Sequence, residues 1–179
     1  ALAQPKCGHY MNKGLKYCGE VVVKDIGIPQ EIYQSLDLNC SIMDQTYLQR
    51  CQTVRSRESH KGTYGHLLML GGSMGMSGAI TLAAQAALRS GVGLVSCAVP
   101  DSIQMHVAVN IPEAMVHPVQ EDSVQHLLPS KSAVVIGPGM GATERIGMMM
   151  LEVLQAGSCG VVVDADALNV AEYWLDEAK

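Results

Sequence analysis

Phenylalanine is absent from this chain, and aromatic residues make up only 4% of its 179 positions. Its 11 methionines must therefore share core filling with Leu, Val and Ile. On that reading the run Met148–Met150 packs a helix and is not a metal or haem ligand set. Charged residues account for 16% and the net charge is −5, with no basic stripe interleaved with aromatics, which excludes an extended nucleic-acid interface. Cys7, Cys18, Cys40, Cys51, Cys97 and Cys159 form no C-x-x-C pair, so zinc-site spacing is missing. No apolar run approaches the roughly 20 residues that a membrane-spanning helix needs. The first residues carry no apolar signal segment, and the cysteines read as reduced thiols of a cytoplasmic protein. No G-x-x-x-x-G-K-[ST] occurs, so Walker-type phosphate binding has no support. Internal repeats, low-complexity tracts and heptads are also missing.

What is present is apolar and regular. Hydrophobic residues make up 48%, in a length that suits one domain with a fair core. The richest stretch runs from His60 to Gly93, HKGTYGHLLMLGGSMGMSGAITLAAQAALRSGVG. His66–Leu70 is short, apolar and bounded by glycine, as a buried strand is. Gly71, Gly72, Gly75 and Gly78 let the backbone turn tightly and approach a ligand closely. Ser77 is placed to cap the following helix, whose first amides favour a phosphate. Ala79, Ala83, Ala84, Ala86 and Ala87 permit close helix packing, and Gly91 ends the helix.

Strands are expected at His66–Leu70, Leu94–Val99, Ala114–Val119, Ala133–Ile136 and Gly160–Val163. Helices are expected at Ser77–Ser90, after Asp101, before Pro129 and at Thr143–Gln155. Asp101 with Gln104, and Asp122 with Gln125, have capping-box spacing. Strands of Val and Ile without alternation, separated by helices, predict an α/β fold with a mostly parallel sheet covered on both faces. Upstream, Glu20–Ile28 reads as a strand without visible partners, and Gln30–Leu36 as a turn or two of helix. The polar stretch from Asp37 to Ser59 reads as a linker beside a domain boundary.

Ala133–Ala142, AVVIGPGMGA, places Gly137, Gly139 and Ala142 in the G-x-G-x-x-G/A dinucleotide pattern between a strand and a helix. Asp164 then ends the next strand, near where a ribose-binding acid would stand. A Rossmann oxidoreductase is thus one reading, and glycines that merely turn the chain are another. Asp164, Asp166 and Asn169 fall at the carboxyl end of a parallel strand, where open α/β sheets bind ligands. One carboxylate suits a hydroxyl or a magnesium-bound water, and the other suits capping of the next helix. His60, His66, His106, His117 and His126 show no metal-site spacing and read as ordinary surface or core histidines. Lys61 is either a phosphate contact or a solvated lysine.

Taken in order, HKGTYGH (60–66), GGSMGMSGA (71–79), ALRSGVGLV (87–95), PEAMVH (112–117), IGPGMG (136–141) and DADALN (164–169) resemble the nucleotide-dependent NAD(P)H-hydrate dehydratases, over about two-thirds of the chain. Residues 8–29 resemble the last segment of the NAD(P)H-hydrate epimerase domain that precedes the dehydratase in bifunctional enzymes. The resemblance implies a ribokinase-like fold, incomplete here. It assigns 1–36 to the epimerase tail, 37–59 to a linker and 60–179 to the first part of the dehydratase.

The implied chemistry uses ADP or ATP, with Mg²⁺ as a candidate metal, to return the S epimer of hydrated NADH or NADPH to the normal cofactor. K⁺ is a candidate ion for the epimerase part, and a homo-oligomer without nucleic-acid or membrane partners is implied. Ala79, Gly139 and Gly141 would contact the dinucleotide, and Asp164, Asp166 and Asn169 would line the same cleft. The family's T-P-H-P-G-E segment and its G-x-G-D loop with the expected base do not occur before Lys179. The expectation is a fragment with no catalytic residue of its own, inactive alone. A non-catalytic assembly module is the remaining alternative.

Overall fold

The computed structural model describes residues 1–36, 38, 40–52, 54–119, 123–157 and 159–175. It divides into two units, Ala1–Arg55 and Ser56–Lys179.

The first unit carries four short helices, α1 (Cys7–Tyr10), α2 (Gly14–Tyr17), α3 (Gln30–Ser35) and α4 (Gln45–Cys51). None of its described residues is buried. The stretch expected to form a strand, Glu20–Ile28, does not: its one ladder contact is an isolated parallel bridge between Leu2 and Lys24. A strand needs neighbours. Here Asp25 Oδ1 instead accepts the Gly27 N–H at 2.9 Å, and Gly27 takes φ 77°, which turns the chain locally. Within the segment read as linker, Asp44 Oδ1 accepts from the Tyr47 N–H at 2.8 Å and caps α4.

The second unit is built on strands β1 (His66–Leu70), β2 (Leu94–Val99), β3 (Met115–Pro118), β4 (Ala133–Ile136) and β5 (Gly160–Val163). All pair in parallel, in the order β3-β2-β1-β4-β5. Between them run α5 (Ser77–Ser90), α6 (Asp101–Asn110) and α7 (Glu144–Ala156), with α8 (Ala165–Asn169) after β5. Neighbouring strand residues point to opposite faces. Leu68, Leu70, Ala98, Val134 and Ile136 accordingly meet Ile146, Met149, Met150 and Val153 of α7, together with Trp174. Met69, Val95, Cys97 and Val99 meet Ile80 and Ala84 of α5 and Ile103 and Val107 of α6 on the other face. Both faces are covered, which is why the strands read as unbroken apolar runs. Burial of each large side chain contributes roughly 1.5–3 kcal/mol.

Two capping expectations fail, those of Ser77 and of Asp101 with Gln104, because each capping residue stands one place inside its helix. Met76 occupies the N-cap of α5 and Ser77 the first helical position, where its carbonyl accepts from Thr81 Oγ1. Pro100 precedes α6, Asp101 makes no cap, and Gln104 Nε2 donates to the Val116 carbonyl of β3 at 3.2 Å. Before Pro129 only a 3₁₀ turn forms, Gln125–Leu127, because Glu152 Oε2 takes both the Ser123 hydroxyl and the Val124 N–H. Asp122 lies outside the described residues. Gly91 does end α5, at φ 100°.

Ser96 on β2 is buried among apolar neighbours, 1% exposed, and its hydroxyl bridges His66 Nε2 at 2.9 Å and His117 Nε2 at 3.4 Å on the flanking strands. Partial burial, then Lys131 and His117, hold the His66 imidazole below its ordinary range. All six cysteines are free thiols, and burial pushes the Cys97 thiol up to about 11. Cys97 is therefore a core residue and not a nucleophile.

Candidate functional site

The loop after β1 and the loop after β4 lie side by side at the carboxyl ends of adjacent strands, the place where open parallel sheets bind ligands. The Gly72 N–H donates to the Pro138 carbonyl at 2.8 Å, and Ser73 Oγ donates to the Gly139 carbonyl at 2.9 Å. Glycine is required where the two backbones touch. A Cβ on Gly71 would stand 2.8 Å from the Pro138 oxygen, and one on Gly139 would stand 2.9 Å from both Ala79 Cβ and the Met76 oxygen. Gly139 also holds φ 65°. Ala79 and Gly139 are thus brought close together.

Gly141 differs. It holds φ 79°, but a Cβ there meets nothing within 4 Å among the described residues. Its N–H donates to Asp166 Oδ2 at 2.7 Å, while Asn169 Nδ2 donates to Asp166 Oδ1 at 3.2 Å. Asp164, exposed at the end of β5, takes the N-cap position of α8 without a side-chain capping bond, and its carbonyl lies against Gly137. Asp166 stands inside the first turn of α8, and its carboxylate is bonded to the neighbouring loop. The six residues singled out in the sequence, Ala79, Gly139, Gly141, Asp164, Asp166 and Asn169, therefore stand along the ends of β1, β4 and β5.

Lys61 does not join them. It begins a 3₁₀ turn, Lys61–Tyr64, whose backbone packs against Gly93 just before β2, at the amino ends of the strands. His60 Nδ1 accepts the Gly62 N–H at 3.1 Å and shapes the same turn. Among the described residues no group of three His, Cys, Asp or Glu side chains is arranged to hold a metal ion.

Residues of both loops also line a cavity of about 750 Å³, whose walls from α6 and α7 the sequence did not indicate. Gly71, Gly72, Pro100, Met140, Thr143 and Arg145 are among its lining residues, and none of the six singled-out residues is. Part of its wall is apolar core edge from Leu70, Ile146 and Met149. Gly71 and Gly72 were the sequence signal for it, and Arg145, in the first turn of α7, adds a cation to its lining.

Comparison with known proteins places this geometry in a family. A family model described as NAD(P)H-hydrate dehydratase matches residues 67–179. The bifunctional NAD(P)H-hydrate repair enzyme Nnr of Coxiella burnetii is 36% identical over 168 residues, covering 93% of this chain and 34% of that protein. The ADP-dependent (S)-NAD(P)H-hydrate dehydratase of Lactiplantibacillus plantarum is 38% identical over 119 residues, covering 65% of this chain and 43% of that protein. Among solved structures, the ADP/ATP-dependent NAD(P)H-hydrate dehydratase of Bacillus subtilis, co-crystallised with ATP/Mg²⁺, matches with a TM-score of 0.62 and 31% identity, over 73% of this chain and 48% of that one. A ribokinase-like superfamily protein of Enterococcus faecalis, 24% identical with a TM-score of 0.62, shares the fold. The chain spans about a third of the length of the bifunctional relatives it matches. These matches favour the dehydratase reading over the Rossmann oxidoreductase, and no helix among the described residues is long and apolar enough to cross a membrane. On its ordered motifs, its parallel sheet and these matches, the chain belongs to the NAD(P)H-hydrate dehydratase family.

Proposed function

We propose that this chain supplies the dinucleotide-holding part of an ADP- or ATP-dependent dehydratase that restores the S epimer of hydrated NADH or NADPH. The observation that carries the reading is the pair of bonds from Gly72 to Pro138 and from Ser73 to Gly139, which makes one ligand-facing surface of two motif loops. Transfer of the terminal phosphoryl group to the ring hydroxyl converts a poor leaving group into phosphate. Loss of that phosphate with a ring proton restores the dihydronicotinamide. Asp164 is the cleft carboxylate with no side-chain hydrogen bond among the described residues, and it suits a Mg²⁺ ion that arrives with nucleotide phosphates. None of the 179 residues is assigned as the base.

Residues 60–179 are proposed as the first part of the dehydratase, 37–59 as a linker and 1–36 as the tail of an epimerase domain. Bifunctional relatives match 93% of the chain, well upstream of residue 67, which supports that division. Homo-oligomerisation belongs to the same proposal: edge strand β5 leaves Val162 56% exposed.

The test is turnover of the S epimer of hydrated NADH by the intact gene product, followed by recovery of dihydronicotinamide absorbance. Conversion is expected only with ADP or ATP added. The 179 residues alone are expected to show no turnover, since loss of a general base by itself is worth about 10²–10⁴ in rate. Hydride transfer without nucleotide would overturn the reading in favour of an oxidoreductase.

A further inference from the structure

The Gly137–Gly141 loop has five residues and few ways to be held. The Met140 N–H donates to the Gly137 carbonyl at 3.3 Å, the Pro138 carbonyl accepts from Gly72 and the Gly139 carbonyl from Ser73. Pro138 has no N–H to give. The Gly137 N–H donates to the Leu70 carbonyl at 3.1 Å, so two donors remain, the N–H groups of Gly139 and Gly141. Gly141 donates to Asp166, whose second oxygen accepts from Asn169, whereas Gly139 N–H has no acceptor among the described residues.

A carboxylate with both oxygens engaged inside the protein is poorly placed to bind a metal or take a proton. A charge-assisted bond to a backbone N–H is instead short and strong, as the 2.7 Å contact is. It spans from α8 to a loop in which both Gly139 and Gly141 hold positive φ.

From this we propose that Asp166 is a positioning residue: through the Gly141 N–H it sets the loop so that the Gly139 N–H is the donor offered to the dinucleotide. Asn169 orients the Asp166 carboxylate, and Asp164 is left as the carboxylate that faces ligand. This rests on the dehydratase reading for the identity of the ligand, but not for the loop geometry.

The experiment uses the ¹⁵N-labelled 179-residue chain and three substitutions, Asp166→Ala, Asp166→Asn and Asp164→Ala. Two quantities are read for each: amide hydrogen exchange at Gly141, and affinity for the S epimer of hydrated NADH. Asp166→Ala is expected to speed Gly141 exchange at least tenfold and weaken the dinucleotide about tenfold. Asp166→Asn keeps an oxygen acceptor and is expected to recover most of both. Asp164→Ala is expected to leave Gly141 exchange unchanged. If Asp166→Ala proves too unstable to read, Asn169→Ala loosens the same carboxylate and is expected to raise Gly141 exchange to a smaller degree.

Unchanged Gly141 exchange in Asp166→Ala would overturn the proposal. So would an Asp166→Asn chain that binds as poorly as Asp166→Ala, because charge and not the hydrogen bond would then matter. If the unsubstituted chain fails to bind the dinucleotide, the functional reading falls, while the exchange data still decide the loop geometry.

Discussion

Gly137→Ala is expected to destabilise the chain by about 3 kcal/mol, from left-handed strain plus a steric clash, each worth roughly 1–3 kcal/mol. Gly137 ends β4 with φ 127°, a conformation that L side chains rarely adopt. A Cβ there would run into the backbone carbonyl of Asp164 and stand 3.0 Å from Ala167 Cβ. Backbone cannot rotate out of the way as the tip of a side chain can, so the loops after β4 and β5 would have to separate. For a chain of this size the loss corresponds to a melting-temperature drop of roughly 6–12 °C. Gly75 provides the comparison. It holds φ 85°, but a Cβ meets nothing within 4 Å, so Gly75→Ala is expected to cost only strain, about 1 kcal/mol. Thermal melts followed by circular dichroism measure both. Equal melting temperatures for the two variants would mean that the β4 and β5 loops are not packed as described.

Gly141→Val is expected to act on ligand more than on fold. The added side chain strains a φ of 79° and otherwise projects into open space beside Ala142 and Asp166. Left-handed strain costs about 1–2 kcal/mol. A β-branched group intruding on a bound dinucleotide weakens it by a further 1–3 kcal/mol, about 10- to 100-fold in affinity. Gly139→Val should reverse the balance, since its Cβ collides with Ala79 and the Met76 carbonyl before any ligand arrives. Titration of each variant with the S epimer of hydrated NADH, beside a thermal melt, separates the two effects. A Gly141→Val chain that melts early and binds normally would make that glycine structural.

The strands were legible because they are runs of four to six mostly apolar residues with Gly or Pro at or beside most of their ends; four of the five have the bounds read from sequence, and β3 is shorter at both ends. The three long helices were legible in place, and the Gly91 end of α5 with them, but not the residues that cap their amino ends. A cap depends on what else a side chain can reach, and only the folded sheet brings the Val116 carbonyl to Gln104. Glu20–Ile28 misled because strand propensity is local whereas a ladder is not, and Asp25 and Gly27 supply a turn that the valines conceal. At the site, glycine spacing pointed to both loops and to DADALN. It could not show that Asp166 is bonded to Gly141, a pairing 25 residues apart in sequence. Nor could it show the cavity beside Arg145, whose walls come from β1, β2, α6 and α7.

That the two glycine loops form one dinucleotide site is tested most directly by titrating the ¹⁵N-labelled chain with the S epimer of hydrated NADH and mapping the amide shifts. The largest shifts are expected at Ser73–Ala79, at Gly139 and Gly141, and at Asp164–Asn169, rising together with one affinity. Shifts confined to the cavity's lining, Gly71, Gly72, Ser102, Met140, Thr143 and Arg145, with Ser77–Ala79 and Asp164–Asn169 silent, would put the ligand in that cavity and contradict the account.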